Sequence, residues 1–484
     1  MFQSIHRQAR TPAITVERGS PKPLYRQIYE RVRHGIAHGL YQPGVRLPSA
    51  RNLASELGIA RGTVEDAYGL LTAEGYIERH GQAGSVIART LATSKASTSL
   101  LEPRAQLPAR PMLGSRNTDQ PRSPFQLGQP AFDSFPKASW SRLIARCARN
   151  PIGWEAAHSD DGGHPALKSA IARYLGLSRG IICAPDQILI TNGYQGAIDL
   201  IGRSLLRPAD RVWFEEPGYP FARDALVAMD ANIVPVDVDG DGMRVANGIA
   251  LAPAARLAVT TPAHQSPLCV TLSLPRRLQL LEWSRARGAW IVEDDYDGEF
   301  HYGSRPLPAL KSLDRDDRVI YAGSFSKTLI PELRLGYLVS PVALLGKLTE
   351  AARAKSAAPA RLIQAVVAEF LEAGHFARHL HRMRRLYAGR RQALADAMRE
   401  TFGGRFCIDV QQGGMHLLAR LPTSTDDMGV AKRACEASLA LHALSATYMG
   451  RSRQKGILLS FTNVPESKAR MLCRKLHCAI GAEI

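Results

Sequence analysis

Lys327 is the residue with the most chemistry to offer. It stands in Ser-Phe-Ser-Lys-Thr directly after the apolar run RVIYAG, a strand end from which a primary amine can form a Schiff base with an aldehyde cofactor. Ser324, Ser326 and Arg334 supply hydroxyls and a guanidinium fork beside it, the donors that a dianionic phosphate requires. A lysine between serines is, taken alone, an ordinary surface feature, so its meaning depends on what other strand ends carry.

Those ends are informative. AWIVEDDYDGEFHY sets Asp294 and Tyr296 after an apolar strand: a carboxylate there pairs with a protonated pyridine nitrogen, and a phenol two residues on reaches the ring's 3′ oxygen. An acidic strand end suits Mg²⁺ equally well, and only the lysine segment selects the pyridine reading. In ILITNGYQGAIDLIGR a strand meets a helix at Gly193 and Tyr194, whose N–H groups face a phosphate. FEEPGYPFAR offers Tyr219 as a ring to stack on a flat cofactor. TTPAHQSPLCVTLS presents His264 and Gln265 as contacts to the phenolic side or as satisfied loop residues.

The elements behind these ends are apolar runs (QILIT, DRVWFEE, ARLAVTT, AWIVEDD, RVIYAGSFS) alternating with amphipathic helical stretches. That rhythm predicts an α/β fold with a mainly parallel sheet. The chain's 484 residues, 45% hydrophobic and 22% charged, support more than one domain and exclude compositional disorder. Texture separates residues 21–89, a Pro/Ser/Arg-rich stretch at 90–123 that predicts an extended tether, and a large domain at 124–484. The seven cysteines form no C-x-x-C pair, which fits reduced thiols in the cytoplasm. No stretch reaches the ~18 apolar residues of a membrane span. The formal charge of +18 favours a polyanionic partner.

The small domain shows how that partner would be met. Leu24, Ile28, Val32 and Ile36 form one helical stripe, and QPGVRLPS ends the helix. Ser49 caps a second helix, a turn falls at Gly58-Ile59, and Val64, Ala67, Tyr68 and Leu71 face inward from a third. This is a helix-turn-helix, and YIERHGQAGSVIA after it predicts the two strands and tip of a wing. Arg61 and Thr63 at the start of the last helix would meet base edges or phosphates in the major groove. Arg51 on the preceding helix and Arg79, His80 and Gly81 at the wing would grip the backbone.

VRLPSARNLASELGIARGTVEDAYGLLTAEGYIERHG resembles the winged helix of the GntR family of bacterial transcription regulators. EEPGYP, TPAHQSP, EDDYDGEF and SFSKTLIPELRLGY resemble the fold-type-I aminotransferases. Joined in one chain, they resemble the MocR subfamily of GntR-type regulators. The resemblance implies pyridoxal phosphate (PLP) as cofactor, with Lys327 as the Schiff-base lysine, Asp294 the pyridine partner, Tyr296 the 3′-oxygen partner, Tyr219 the stacking ring, and Ser324, Ser326 and Arg334 phosphate ligands. It further implies double-stranded operator DNA as partner, a head-to-tail homodimer, and sensing of the cofactor or an amino compound in place of metabolic turnover. The alternative is a PLP-dependent aminotransferase with an accessory DNA-binding head, and residual transaminase activity is compatible with either.

Departures bear on the effector. Aminotransferases commonly hold a substrate carboxylate with an arginine in a late strand of the form Ile-Arg-Leu-x-Phe, where this chain has Leu458 within Ile457–Phe461. Losing that charge-assisted pair forfeits roughly 1.5–3 kcal/mol. This leans toward a PdxR-like branch in which PLP itself is the signal, although Arg451 and Arg453 lie nearby. Ser266, Leu268 and Cys269 depart from the usual His-Gln-(Phe/Tyr)-Pro-Thr-Gly, and Gln82–Ser85 departs from the usual wing tip.

Other signals are set aside. Asp237, Asp239, Asp241 and Gly242 match half of a calcium loop, but position twelve is Gly248, so a turn between strands is the better reading. His375 and His379 lack a third ligand, no metal is assigned, and HLHRMRRLYAGRR reads as a solvated basic helix. Gly413-Gly414 is too weak a signal for nucleotide binding. Operator affinity should fall linearly with log salt, at about −0.9 log units per phosphate neutralised, in an anisotropy titration; a flat response would overturn the DNA reading.

Overall fold

The N-terminal apolar stripe folds into helix α1 (Leu24–Ala37), with Ile28 and Val32 buried and Leu24 and Ile36 half-buried at its ends. The computed structural model describes residues 14–79, 84–89, 123–149, 162–303, 308–355, 359–450 and 454–481. The chain divides into two compact units, Met1–Ala109 and Arg110–Ile484. Apart from Ser123, the stretch expected as a tether lies outside the described residues.

In the small unit, α2 (Ala50–Leu57) begins at Ser49, whose hydroxyl accepts from the Asn52 N–H at 3.1 Å, and ends at Gly58 with φ 62°. This cap contributes about 1 kcal/mol. Helix α3 (Arg61–Ala73) buries Val64, Ala67, Tyr68 and Leu71 against Ile28, Val32 and Leu53. Strands β1 (Ile77–Arg79) and β2 (Ser85–Ile87) pair antiparallel, Ile77 opposite Ile87, and close the same core. Residues 80–83, which include His80 and Gly81 of the expected wing tip, lie outside the described residues.

The large unit is built on strands β3 (Ile188–Asn192), β4 (Arg211–Glu216), β5 (Asn232–Asp239), β6 (Gly242–Met243), β7 (Leu257–Thr260), β8 (Trp290–Asp295), β9 (Val319–Ser324) and β10 (Leu335–Val339). They form one sheet in the order β3-β10-β9-β8-β7-β4-β5-β6. It is parallel as expected except at β10, which runs antiparallel to both neighbours, and at the short β5–β6 hairpin. LGYLV is apolar throughout and reads the same in either direction, so its orientation is a tertiary decision. The hairpin turn is the DVDGDG segment, with Asp239 opposite Gly242 and paired to Arg276, which accounts for its acidic residues structurally.

Alternate residues of the central strands feed separate cores, the pattern of a sheet covered on both faces. Ile188, Ile190, Tyr321 and Tyr337 pack with Leu167, Ile171 and Leu175 of the helix Pro165–Arg179, whereas Leu189, Ile320 and Leu338 pack with Ile198 and Ile201 of the helix Gly193–Leu205. A second antiparallel sheet follows from β11 (Cys407–Asp409), β12 (His416–Leu421), β13 (His442–Ala443) and β14 (Lys455–Ser460), in the order β11-β12-β14-β13. His375 and His379 lie on the helix His375–Phe402, and His379 Nε2 donates to the Thr328 carbonyl at 2.9 Å, a packing role. No helix among the described residues is long and apolar enough to cross a membrane.

Strand β8 and its turn bury Glu293, Asp294, Asp295, Asp297 and Glu299 together. Glu293 accepts from the Leu310 and Lys311 N–H groups, Asp295 pairs with Arg179 at 2.5 Å, and Glu299 accepts from the Tyr174 hydroxyl at 3.0 Å. Burial, then Asp295, push the Glu299 carboxyl up to about 7. Because an unfolded glutamate titrates near ~4.3, its contribution favours folding at low pH and is lost as pH rises through the folded value. Glu299→Gln should therefore raise Tm, by a margin that grows between about pH 5 and pH 8; a margin that shrinks over that range would overturn the assignment.

Candidate functional site

Register brings the expected residues of the large unit to one sheet edge. Asp294 on β8 is opposite Ala322 on β9, Ser324 on β9 is opposite Gly336 on β10, and Gly336 is opposite Thr191 on β3. The carboxyl ends of β3, β8 and β9 thus meet the amino end of β10. Lys327 lies in the turn after β9, Tyr296 just past β8, and Gly193 and Tyr194 open the helix Gly193–Leu205. Arg334, with φ 49°, precedes β10, and its backbone lies against Gly193. Tyr219 caps the helix Pro220–Val227, its ring 6.1 Å from that of Tyr194.

The electrostatics of this edge are unusual. Asp294 is 4% exposed and its Oδ1 has no hydrogen-bond partner among the described residues. Burial holds its carboxyl well above the usual carboxylate range; the nearby Tyr194 hydroxyl works the other way, and Asp295 and Asp297 add to the rise. His264 Nδ1 lies 3.0 Å from the Tyr296 hydroxyl and 3.3 Å from Asp297. Burial opposes its protonation, but Asp297 and Cys269 override burial and bring the imidazole up to about 10. Burial, then Asp297, raises the Tyr296 phenol. Lys327 Nζ donates to the Gly128 carbonyl at 3.2 Å. Gly128 has φ 75°, a conformation that residues with side chains rarely adopt, and a β-carbon there would stand 2.3 Å from Nζ and displace the amine.

These groups fit a phosphorylated pyridine aldehyde. A buried carboxyl without a cation is stabilised by a protonated ring nitrogen. Arg334 is exposed and Ser324 and Ser326 are half-buried, side chains of the type that a phosphate takes as donors.

The sequence left some residues without a role. Gln265, for which a phenolic-side contact and a satisfied loop residue both stood open, takes the loop role: its amide donates to Glu215, Pro217 O and Ser266 O, tying its loop to β4. Asp297 beside His264 and the Gly128 lid carry no local signal of their role. Gly414, in the pair set aside above, has φ 86° and packs so close that a β-carbon would lie 1.9 Å from the His264 ring.

In the small unit, Arg51 and Arg61 are exposed and Thr63 half-buried. Arg61 Nε contacts Glu65 at 2.7 Å, and Arg79, expected to reach outward at the wing, donates to the Glu65 carbonyl at 3.1 Å. An exposed pair such as Arg61–Glu65 is worth about 1 kcal/mol or less, so a phosphate can displace it.

Residues 156–476 match the family described as aminotransferase class I and II, and residues 24–87 match the bacterial regulatory proteins of the gntR family. A probable rhizopine catabolism regulatory protein, MocR of Rhizobium meliloti, is 36% identical over 97% of this chain and 96% of its own length. The pyridoxine biosynthesis transcriptional regulator PdxR of Corynebacterium glutamicum is 30% identical over 95% of this chain and 97% of its own. The chain belongs to the MocR subfamily of GntR-type regulators. Among solved structures, the kynurenine aminotransferase of Pyrococcus horikoshii superposes on 75% of this MocR-type chain and 91% of its own, with a TM-score of 0.68 and 28% identity. The fold of its large unit is that of the fold-type-I aminotransferases. For this regulator, Arg61→Ala should cost about 1–3 kcal/mol in operator binding with PLP uptake unchanged; equal operator affinity of variant and wild type in a gel-shift titration would remove Arg61 from the interface.

Proposed function

We propose that this regulator is a cytoplasmic head-to-tail homodimer, tethered through residues 90–123, whose operator affinity is set by PLP bound at Lys327. The observation that carries it is the Asp294 carboxyl, buried with Oδ1 unpartnered at the sheet edge that also holds Lys327. PLP, when bound, supplies an aldehyde carbon and an electron-withdrawing ring. The Lys327 amine anchors the aldehyde carbon, Asp294 keeps the ring nitrogen protonated, Tyr219 stacks on the ring, and Tyr296, supported by His264, hydrogen-bonds the 3′ oxygen. Ser324, Ser326, Arg334 and the N–H groups of Gly193 and Tyr194 hold the phosphate. On the DNA side, Arg61 and Thr63 meet the major groove, and Arg51, Arg79, His80 and Gly81 grip the phosphates.

The effector reading rests on Leu458. It is 2% exposed, stands opposite Leu418 and His442, and packs with Val238, Leu268 and Leu444. An apolar cluster at this position supports PLP as the signal over a carboxylate-bearing amino compound, and it disfavours an aminotransferase with an accessory head. Arg451 and Arg453 lie outside the described residues. Any ligand acting this way must bind two arrangements of the regulator unequally.

The test is a PLP titration of the full-length protein on DNA from upstream of its own gene. PLP alone should change operator affinity, and Lys327→Ala should lose both this response and the visible absorption of lysine-bound PLP. A response that appears only with an added amine makes the effector an amino compound. Turnover of amino donor and keto acid at rates of dedicated enzymes would overturn the regulatory reading.

A further inference from the structure

The loop after β7 departs from its family at Cys269, and the structure gives that cysteine a partner. Cys269 takes φ 63°, the left-handed region where the resembling motif has glycine, a strain of order 1 kcal/mol for a side-chain-bearing residue. Its Sγ lies 3.1 Å from Nε2 of His416, the first residue of β12, and both side chains are buried. His416 Nε2 also lies 3.2 Å from the Pro267 carbonyl. Cys269 lines a cavity of about 510 Å³ together with His264, Thr271, Gln412 and Arg420. His264 is 5% exposed, and its Nε2 has no hydrogen-bond partner among the described residues. A thiol against one imidazole, with a second imidazole nitrogen unpartnered in the same cavity wall, is an arrangement that simple packing does not require.

We infer that Cys269 is a modification site, where the thiol paired with His416 reacts with hydrogen peroxide entering the cavity and becomes a sulfenic acid. The thiolate electron pair forms the S–O bond to one peroxide oxygen as the O–O bond breaks. Sulfur is oxidised, the peroxide is reduced to water, and the leaving hydroxide takes its proton from Nε2 of the His416 imidazolium.

The groups facing Cys269 are His264 from its own loop, His416 from β12 and Tyr296 from the turn after β8. Burial raises the thiol, but His416 and His264 outweigh burial and bring Cys269 down to about 6. Burial also works against the His416 imidazolium, and Cys269 reverses that effect. Exposure alone predicts the opposite order of reactivity: Cys407, Cys435 and Cys478 are exposed, whereas Cys269 is buried. The inference is independent of which effector the cofactor site takes.

The full-length protein, treated with limiting hydrogen peroxide near neutral pH in the presence of dimedone, would be mapped by peptide mass spectrometry. Cys269 should carry about tenfold more adduct than Cys407, Cys435 or Cys478, and His416→Gln should abolish that excess. Adduct ranked by exposure in the wild type, with Cys269 last, would overturn the proposal. If His416→Gln fails to fold, the wild-type pH profile decides. Cys269 labelling should be level above about pH 7; labelling of Cys269 that keeps climbing to about pH 9 would refute the pairing.

Discussion

The Asp294 carboxyl, buried without a cation among the described residues, is the constraint around which this end of the sheet is arranged. Strand β8 carries several acidic side chains out of water, and most are answered inside the protein. Glu293 is met by two backbone N–H groups, Asp295 by Arg179 and the Tyr321 hydroxyl, and Glu299 by Tyr174. Asp295, Asp297 and Glu299 also keep oxygens without a hydrogen-bond partner among the described residues, but Arg179 stands beside Asp295 and His264 beside Asp297; Asp294 has no such cation there, and burial makes its ionised form costly. A group so placed either stays protonated or waits for a ligand that brings positive charge.

The sheet's one reversed central strand serves the same edge. With β10 antiparallel, its amino end lies beside the carboxyl ends of β3 and β9, which sets Arg334 against Gly193 and within the reach of a shared ligand. A parallel β10 would carry its first residues to the opposite end of the sheet. The loops around the edge are then pinned from behind. His379 holds the Thr328 carbonyl next to Lys327, and Glu215 gathers Thr260, Thr261 and Gln265 so that His264 is presented from a stiff loop.

The DNA-binding unit follows a different economy. Its core is small and its arginines lie on the surface, where the Glu65 carboxylate pairs with Arg61 and the Glu65 carbonyl accepts from Arg79. The Arg61–Glu65 pair restrains a long side chain without committing it, because exposed ion pairs are weak beside the multivalent charge of a DNA backbone. Leu458 lies far from this chemistry in sequence, buried in apolar surroundings.

Much of the protein was legible in its residues alone, since local rules acted there. The α1 stripe, the Ser49 cap, the Gly58 turn and the inward face of α3 follow from helical periodicity and capping. The apolar strands, and Lys327, Asp294 and Tyr296 at their ends, follow from strand chemistry and family resemblance. The parts that were not legible depend on residues distant in the chain. Of the two readings open for Gln265, Glu215's hydrogen bonds chose the loop residue, Gly128 was placed over a lysine about two hundred positions away, and β10 was reversed. Cys269 met His416 across 147 positions. Sequence determines which groups are available and which element each one ends; only packing decides which of them are buried together, and burial is what changes a carboxyl, a thiol or an imidazole into something reactive.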